Sequence, residues 1–146
     1  MAHIVFINPR FDPSFWGLEH ALDLLNVKAN MPVAALPLLA ALTPGEHRVE
    51  LVDENVEPID YDRCAQADIV GLTGMSVQRF RMREILEELK RRGCFVVIGG
   101  PWVTVEEEYF DPGADTGHLV RAGARSSARD TSGLTFLCRS VQFDHP

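Results

Sequence analysis

Apolar residues along the first hundred positions come in short unbroken runs separated by stretches of helical periodicity. Ile4-Val5-Phe6-Ile7, Ile69-Val70-Gly71-Leu72 and Phe95-Val96-Val97-Ile98 are β-branched or aromatic runs bounded by turn residues, the form of strands covered on both faces. Val49-Glu50-Leu51-Val52 alternates instead, which predicts a strand nearer an edge. Between the strands, Leu18, Ala21, Leu22 and Leu25 recur at helical spacing. Val33 to Leu42 is an apolar stretch in which Pro37 kinks a helix or opens its turns, closed by Thr43-Pro44-Gly45. From Gln78 to Arg92 the pattern is strongly helical: Met82, Ile85, Leu86 and Leu89 share one face, while Glu87/Arg91 and Glu88/Arg92 stand four apart on the other. Gly93 follows where a left-handed C-terminal cap is expected.

This alternation predicts an α/β protein: a Rossmann-like or flavodoxin-like, doubly wound parallel sheet of four to five strands with helices on both faces. Ligands of such sheets sit beyond the carboxyl ends of the strands. Those ends are Asn8 to Phe11, Asp53 to Asn55, Thr73 to Ser76, and Gly99 to Trp102.

After about Pro112 the pattern fades. Residues 1–112 carry 10 basic and 18 acidic residues, net -8; residues 113–146 carry 4 and 3, net +1. The second stretch is rich in Ala, Arg, Ser, Thr and Gly. His118-Leu119-Val120 is a candidate fifth strand, and Leu134, Phe136, Leu137, Val141 and Phe143 are candidates for a terminal packing element. The expected organisation is one α/β domain over 1–112 and an atypical, partly irregular tail over 113–146.

Composition narrows the chemistry. At 146 residues there is no room for a second catalytic domain. A net charge of -7 disfavours nucleic acid, and the absence of a long apolar run or a cationic leader disfavours a membrane. Cys64, Cys94 and Cys138 are scattered, without the spacing of a zinc site or an iron–sulfur cluster. They read as buried thiols in a reducing compartment, so a cytoplasmic location is expected.

The dinucleotide fingerprint and the P-loop lysine are absent. A phosphoacceptor site would need carboxylates after the first and third strands, where Asn8-Pro9-Arg10 and Thr73-Gly74 stand instead. His3, His20 and His47 read as ordinary edge or helix histidines, and Glu106-Glu107-Glu108 as a helix start. Asp53-Glu54 is either a grip for a polar ligand or a solvated pair. Gly99-Gly100-Pro101 is either a tight turn or a place where backbone meets a ligand. Phe11, Phe15 and Trp16 line a pocket for a flat ligand, cap the sheet or contact another chain.

Together, Asn8-Pro9-Arg10-Phe11, Pro13-Ser14-Phe15-Trp16, Leu51-Val52-Asp53-Glu54-Asn55-Val56-Glu57-Pro58, Leu72-Thr73-Gly74-Met75-Ser76-Val77-Gln78 and Val97-Ile98-Gly99-Gly100-Pro101 resemble the amino-terminal cobalamin-binding domain of cobalamin-dependent radical S-adenosylmethionine (SAM) proteins. Cobalamin domains of the mutase type carry Asp-x-His-x-x-Gly after the first strand, Ser-x-Leu after the third and Gly-Gly after the fourth. Thr73-Gly74-Met75 matches the second mark conservatively and Gly99-Gly100 the third, while the first lacks its histidine.

The resemblance therefore implies a cobalamin held base-off, without a histidine ligand to cobalt and with its nucleotide tail run into the sheet. The implied cofactor-binding residues are Thr73, Gly74, Met75, Gly99, Gly100, Pro101, Asn8, Arg10 and Phe11, and Gly100→Val is expected to abolish binding while leaving the fold. The iron–sulfur motif and barrel of these proteins are missing from the chain, so no iron–sulfur cluster is expected in it. Any catalysis would need a radical SAM partner.

The change after Thr116 suggests a shifted reading frame or a truncation. Two rival classes remain: a non-binding remnant or interaction module that self-associates through a sheet edge, and a small enzyme using Asp53, Glu54 or Arg10.

Overall fold

The computed structural model describes residues 1–13, 19–29, 33–105 and 119–121. In chain order the elements are β1 (His3–Asn8), α1 (Glu19–Leu25), α2 (Ala35–Leu42), β2 (Arg48–Asp53), α3 (Tyr61–Cys64), β3 (Ile69–Thr73), a 3₁₀ turn (Ser76–Gln78), α4 (Arg79–Arg91), β4 (Val96–Gly99), α5 (Pro101–Val105) and β5 (Leu119–Arg121). The strands form one sheet in the order β2-β1-β3-β4-β5, and every neighbouring pair is parallel. This is the doubly wound α/β arrangement expected from the alternation, and its topological switch point lies between β1 and β3.

Both faces are covered, by unequal amounts. Val5, Ile7, Val70, Leu72, Val96 and Ile98 point to one face, where they are buried with Met82, Ile85, Leu86 and Leu89 of α4, Cys64 of α3 and Val103 of α5. Ile4 and Phe6 point to the other, buried with Leu36 of α2. Gly71 lies beside Phe6 in the β1–β3 register, and an added Cβ there would come within 2.5 Å of the Phe6 ring. The strand gives up a side chain so that the ring can lie flat on it.

Local chemistry explains most of the element ends. β2 is the sheet edge and shows no fully buried residue, as its alternating pattern requires. Pro37 lies in the first turn of α2, whose first helical bond is donated by Leu38 to Ala34; its missing N–H thus costs nothing and no kink follows. Gly93, at φ +73, ends α4 as a left-handed cap.

Two details depart from the periodicity. Leu25, expected on the packing face of α1, is 65% exposed, whereas Ala21 and Leu22 are half-buried. Arg91 pairs with Glu88, three residues back, rather than with Glu87, so Glu88 serves both Arg91 and Arg92.

Leu18, Phe15, Trp16, Glu106-Glu107-Glu108, Cys138 and the proposed terminal packing element lie outside the described residues. Residues 119–121 form the fifth strand, one residue later than the run His118-Leu119-Val120 suggested. Among the described residues, no helix is long and apolar enough to cross a membrane. Cys64 and Cys94 are free and buried, and burial pushes the Cys64 thiol up to about 11.

Candidate functional site

Parallel pairing brings all the β-to-α loops to one edge, and two register pairs define it. Asn8 stands opposite Asp53 at the ends of β1 and β2. Thr73 stands opposite Gly99 at the ends of β3 and β4.

The Asn8–Asp53 side is a hydrogen-bonded polar cluster. Asn8 is 1% exposed; its Nδ2 donates to Asp53 Oδ1 at 3.0 Å. The same oxygen accepts from the Asn55 backbone N–H at 3.0 Å and the Asn55 amide at 2.6 Å. Asn55 Oδ1 in turn accepts the backbone N–H of Phe11 at 2.9 Å. The Glu54 side chain, 7% exposed, accepts the Arg10 backbone N–H at 3.0 Å and the Arg81 guanidinium at 3.0 Å. Burial pushes the Glu54 carboxyl upward, but the Arg81 and Arg10 hydrogen bonds and charges outweigh it and hold the group below the ordinary carboxylate range.

The Glu54 carboxylate is therefore engaged by the protein itself, and so is Oδ1 of Asp53, a residue that stays partly exposed. They fix the loop after β1 by its own amides. This weighs against Glu54 in the small-enzyme reading, whose other candidates are Asp53 and Arg10.

Gln78 joins this cluster to β3. It is 1% exposed, ending the 3₁₀ turn that leads into α4. Its Oε1 accepts the Met75 N–H at 2.9 Å, while its Nε2 donates to Asn8 Oδ1 at 3.1 Å and to the Pro9 carbonyl. One side-chain amide thus spans the switch point. Sequence patterns assigned neither Gln78 nor Arg81 a role: Gln78 closes one of the stretches that carry the resemblance and opens the helical pattern, and Arg81 lies within that pattern.

The Thr73–Gly99 side is built from backbone. Gly100 has φ +105, and an added Cβ would lie 2.7 Å from Thr73 Oγ1, 2.9 Å from the Gly74 carbonyl oxygen and 3.0 Å from the Gly74 nitrogen. At Gly74 the corresponding space is bounded by Met82 Sδ at 2.6 Å and Gln78 Oε1 at 3.3 Å. The two turns are in contact, and their small residues are used first by the protein's own packing. Pro101 opens α5, where a missing N–H is tolerated.

Outside this tight floor the surface is apolar. Met75 is 42% exposed, Val77 51% and Phe80 54%. The Arg79 guanidinium lies 4.2 Å from the Phe80 ring centroid and 5.9 Å from that of Trp102.

Of the residues expected to hold a ligand, Thr73, Gly74, Met75, Gly99, Gly100 and Pro101 thus gather on the β3–β4 side. Arg10 and Phe11 lie on the loop held by Glu54 and Asn55, and Asn8 is buried beneath it. Among the described residues no group of three or more histidine, cysteine or acidic side chains is placed to hold a metal ion.

No protein-family model matches the chain. Curated relatives do. An uncharacterised methyltransferase of Synechocystis sp. is 38% identical over 112 residues, which are 76% of this chain and 21% of that protein. The hopanoid C-2 methylase of Rhodopseudomonas palustris is 35% identical over 144 residues, covering 96% of this chain and 27% of that protein. The bacteriochlorophyllide d C-8(2)-methyltransferase of Chlorobaculum tepidum is 39% identical over 82 residues, 56% of this chain and 18% of that protein. The chain thus spans only about a quarter or less of the length of these relatives. The second similarity covers 96% of this chain and so continues past the composition break at 112.

Proposed function

We propose that this chain is the cobalamin-binding module of a methyl-transferring system. It would hold the corrinoid base-off, without a histidine ligand to cobalt, and act with a radical SAM catalytic portion that these 146 residues do not supply. The observation carrying this reading is the carboxyl edge over β3 and β4. There a floor of Thr73, Gly74, Gly99 and Gly100 sits beside exposed Met75 and Val77, at the edge where doubly wound sheets take ligands. Identities of 35–39% to three methyl-transferring relatives support it.

The residues fit such a group by their chemistry. A large flat ligand needs small residues that let it reach backbone, apolar side chains against its faces and few but fixed polar partners. Thr73 is half-buried and would offer its hydroxyl as a polar partner, and Met75 and Val77 would cover apolar surface. Arg10 and Phe11 approach from the clamped loop after β1. When bound, cobalamin supplies a cobalt centre able to carry a methyl group; the chain's own share is to bind it, orient it and shield one side from water. The Thr73–Gly74 and Gly99–Gly100 turns touch, and Thr73, Gly74, Gly99 and Gly100 are the residues that would hold the nucleotide tail.

The domain would comprise residues 1–112, with 113–146 as an atypical tail that lends the sheet its fifth strand. A second reading, a non-binding interaction module of the same fold, is favoured by one observation: the spaces beside Gly74 and Gly100 are filled by Met82, Gln78 and Thr73, so their glycines have a packing role without a ligand.

Incubation of the purified chain with hydroxocobalamin or methylcobalamin, followed by desalting and visible absorption, separates the two. Retained colour with a base-off spectrum is the expected result. Loss of all colour from protein shown folded by circular dichroism supports the interaction module instead.

A further inference from the structure

The switch-point crevice between β1 and β3 is where a doubly wound sheet opens, and here one side chain ties its two lips together. Gln78 uses both functions of its amide. The carbonyl caps the Met75 N–H on the β3 side, and the NH₂ holds Asn8 and the Pro9 carbonyl on the β1 side. From Asn8 the bonds continue to Asp53, from Asp53 to Asn55, and from Asn55 to the Phe11 backbone. Loops after three different strands are thereby joined into one hydrogen-bonded unit.

Burial gives this unit its stiffness. With Gln78 and Asn8 each 1% exposed, water has little access to replace the bonds at the centre of the unit, while the outer links through Asp53, Asn55 and Phe11 are part-buried.

We propose that Gln78 is the positioning residue of the carboxyl edge. It fixes the spacing between the Met75 turn and the Asn8–Pro9 turn, and through Asn8, Asp53 and Asn55 it places the Phe11 backbone, so that residues 9–11 present a preformed wall to a ligand lying over β3. As regards cobalamin, the inference rests on the reading above. The coupling of the two loops does not.

The test compares Gln78→Met, which keeps the size of the side chain and removes its amide, with Leu89→Ala, which loosens α4 in the core without touching the bond chain. Amide hydrogen exchange at Phe11 and Met75 is read beside retention of hydroxocobalamin. In Gln78→Met both amides should exchange at least tenfold faster than the change in global unfolding accounts for, and the dissociation constant of hydroxocobalamin should rise at least tenfold. Leu89→Ala should shift neither beyond its global effect.

Unchanged Phe11 exchange in Gln78→Met, or equal shifts in both variants, overturns the proposal. If the unmodified chain retains no hydroxocobalamin, the cobalamin reading fails and Phe11 exchange alone decides the role of Gln78. Should Gln78→Met not fold, Asn8→Leu cuts the same chain between Gln78 and Asp53 and leaves the Asn55 acceptor of the Phe11 N–H in place. Faster exchange at Phe11 with Met75 unaffected then supports the relay, and an unchanged Phe11 rate overturns it.

Discussion

The two halves of the carboxyl edge solve one problem by opposite means. Over β1 and β2 the strand ends are held by side chains: Asn8, Asp53, Asn55, Glu54 and Arg81 satisfy one another and the backbone of the next loop. Over β3 and β4 they are held by the lack of side chains, with Gly100 against Thr73 and the Gly74 backbone. The first half spends its polar groups inward and has few left for a ligand. The second leaves a tight backbone floor beside exposed apolar residues, and it is to this half that the proposed function assigns one. Polar residues at a strand end are thus not in themselves a sign of a binding site.

Substitutions that break each half should show the difference, beginning with the glycine side. Gly100→Val places a branched side chain at φ +105 against atoms 2.7–3.0 Å from its Cβ, and should cost about 3 kcal/mol or more in urea unfolding. The sequence had suggested this variant as a clean lesion of binding. The contact between the two turns makes it a lesion of the fold.

On the polar side, Glu54→Gln breaks a buried charge-assisted contact with Arg81 and should cost about 1.5–3 kcal/mol. Because the folded Glu54 titrates below its ordinary range, its contribution is fully present above the unfolded carboxylate pKa. It is lost as pH falls through the lower folded value. Acid unfolding curves should accordingly show a shallower loss of stability below the ordinary carboxylate range in Glu54→Gln than in the unmodified protein.

Asn8→Ala leaves the Asp53 carboxylate short of one donor and Gln78 short of one acceptor, an expected cost of about 1–3 kcal/mol by thermal or urea unfolding. The smallest effect on stability belongs to Met75→Ser. With 42% of the residue exposed, unfolding should shift by no more than about 0.5 kcal/mol, while retention of hydroxocobalamin weakens if Met75 covers the ligand. Those two readouts moving in proportion would deny Met75 any role beyond packing.

Much of the fold was legible because it is carried by repetition. β1, β3 and β4 are unbroken apolar runs, β2 alternates, and α4 repeats its apolar face at Met82, Ile85, Leu86 and Leu89, so each residue's neighbours confirm its environment. The turns at Thr73-Gly74 and Gly99-Gly100 were legible as well, since glycine after a strand is itself a local signal. Leu25 misled because a helix as short as α1 gives its period too few turns to settle which residues pack.

The polar cluster was not legible. Gln78 bonds to Asn8 across 70 positions and Arg81 to Glu54 across 27, and a single polar residue has no period to announce it. Sequence alone indicated β1 to β4, α2 and α4 and which loops share an edge, because those follow from the spacing of apolar residues along the chain, while the short α3 and α5 have too few turns to show a period. Which polar groups at that edge turn inward, and which surface is left for a ligand, was decided only when parallel pairing set Asn8 beside Asp53 and Thr73 beside Gly99. Hydrogen-bond satisfaction in a buried place depends on groups that meet in space, and their distance along the chain carries no trace of that meeting.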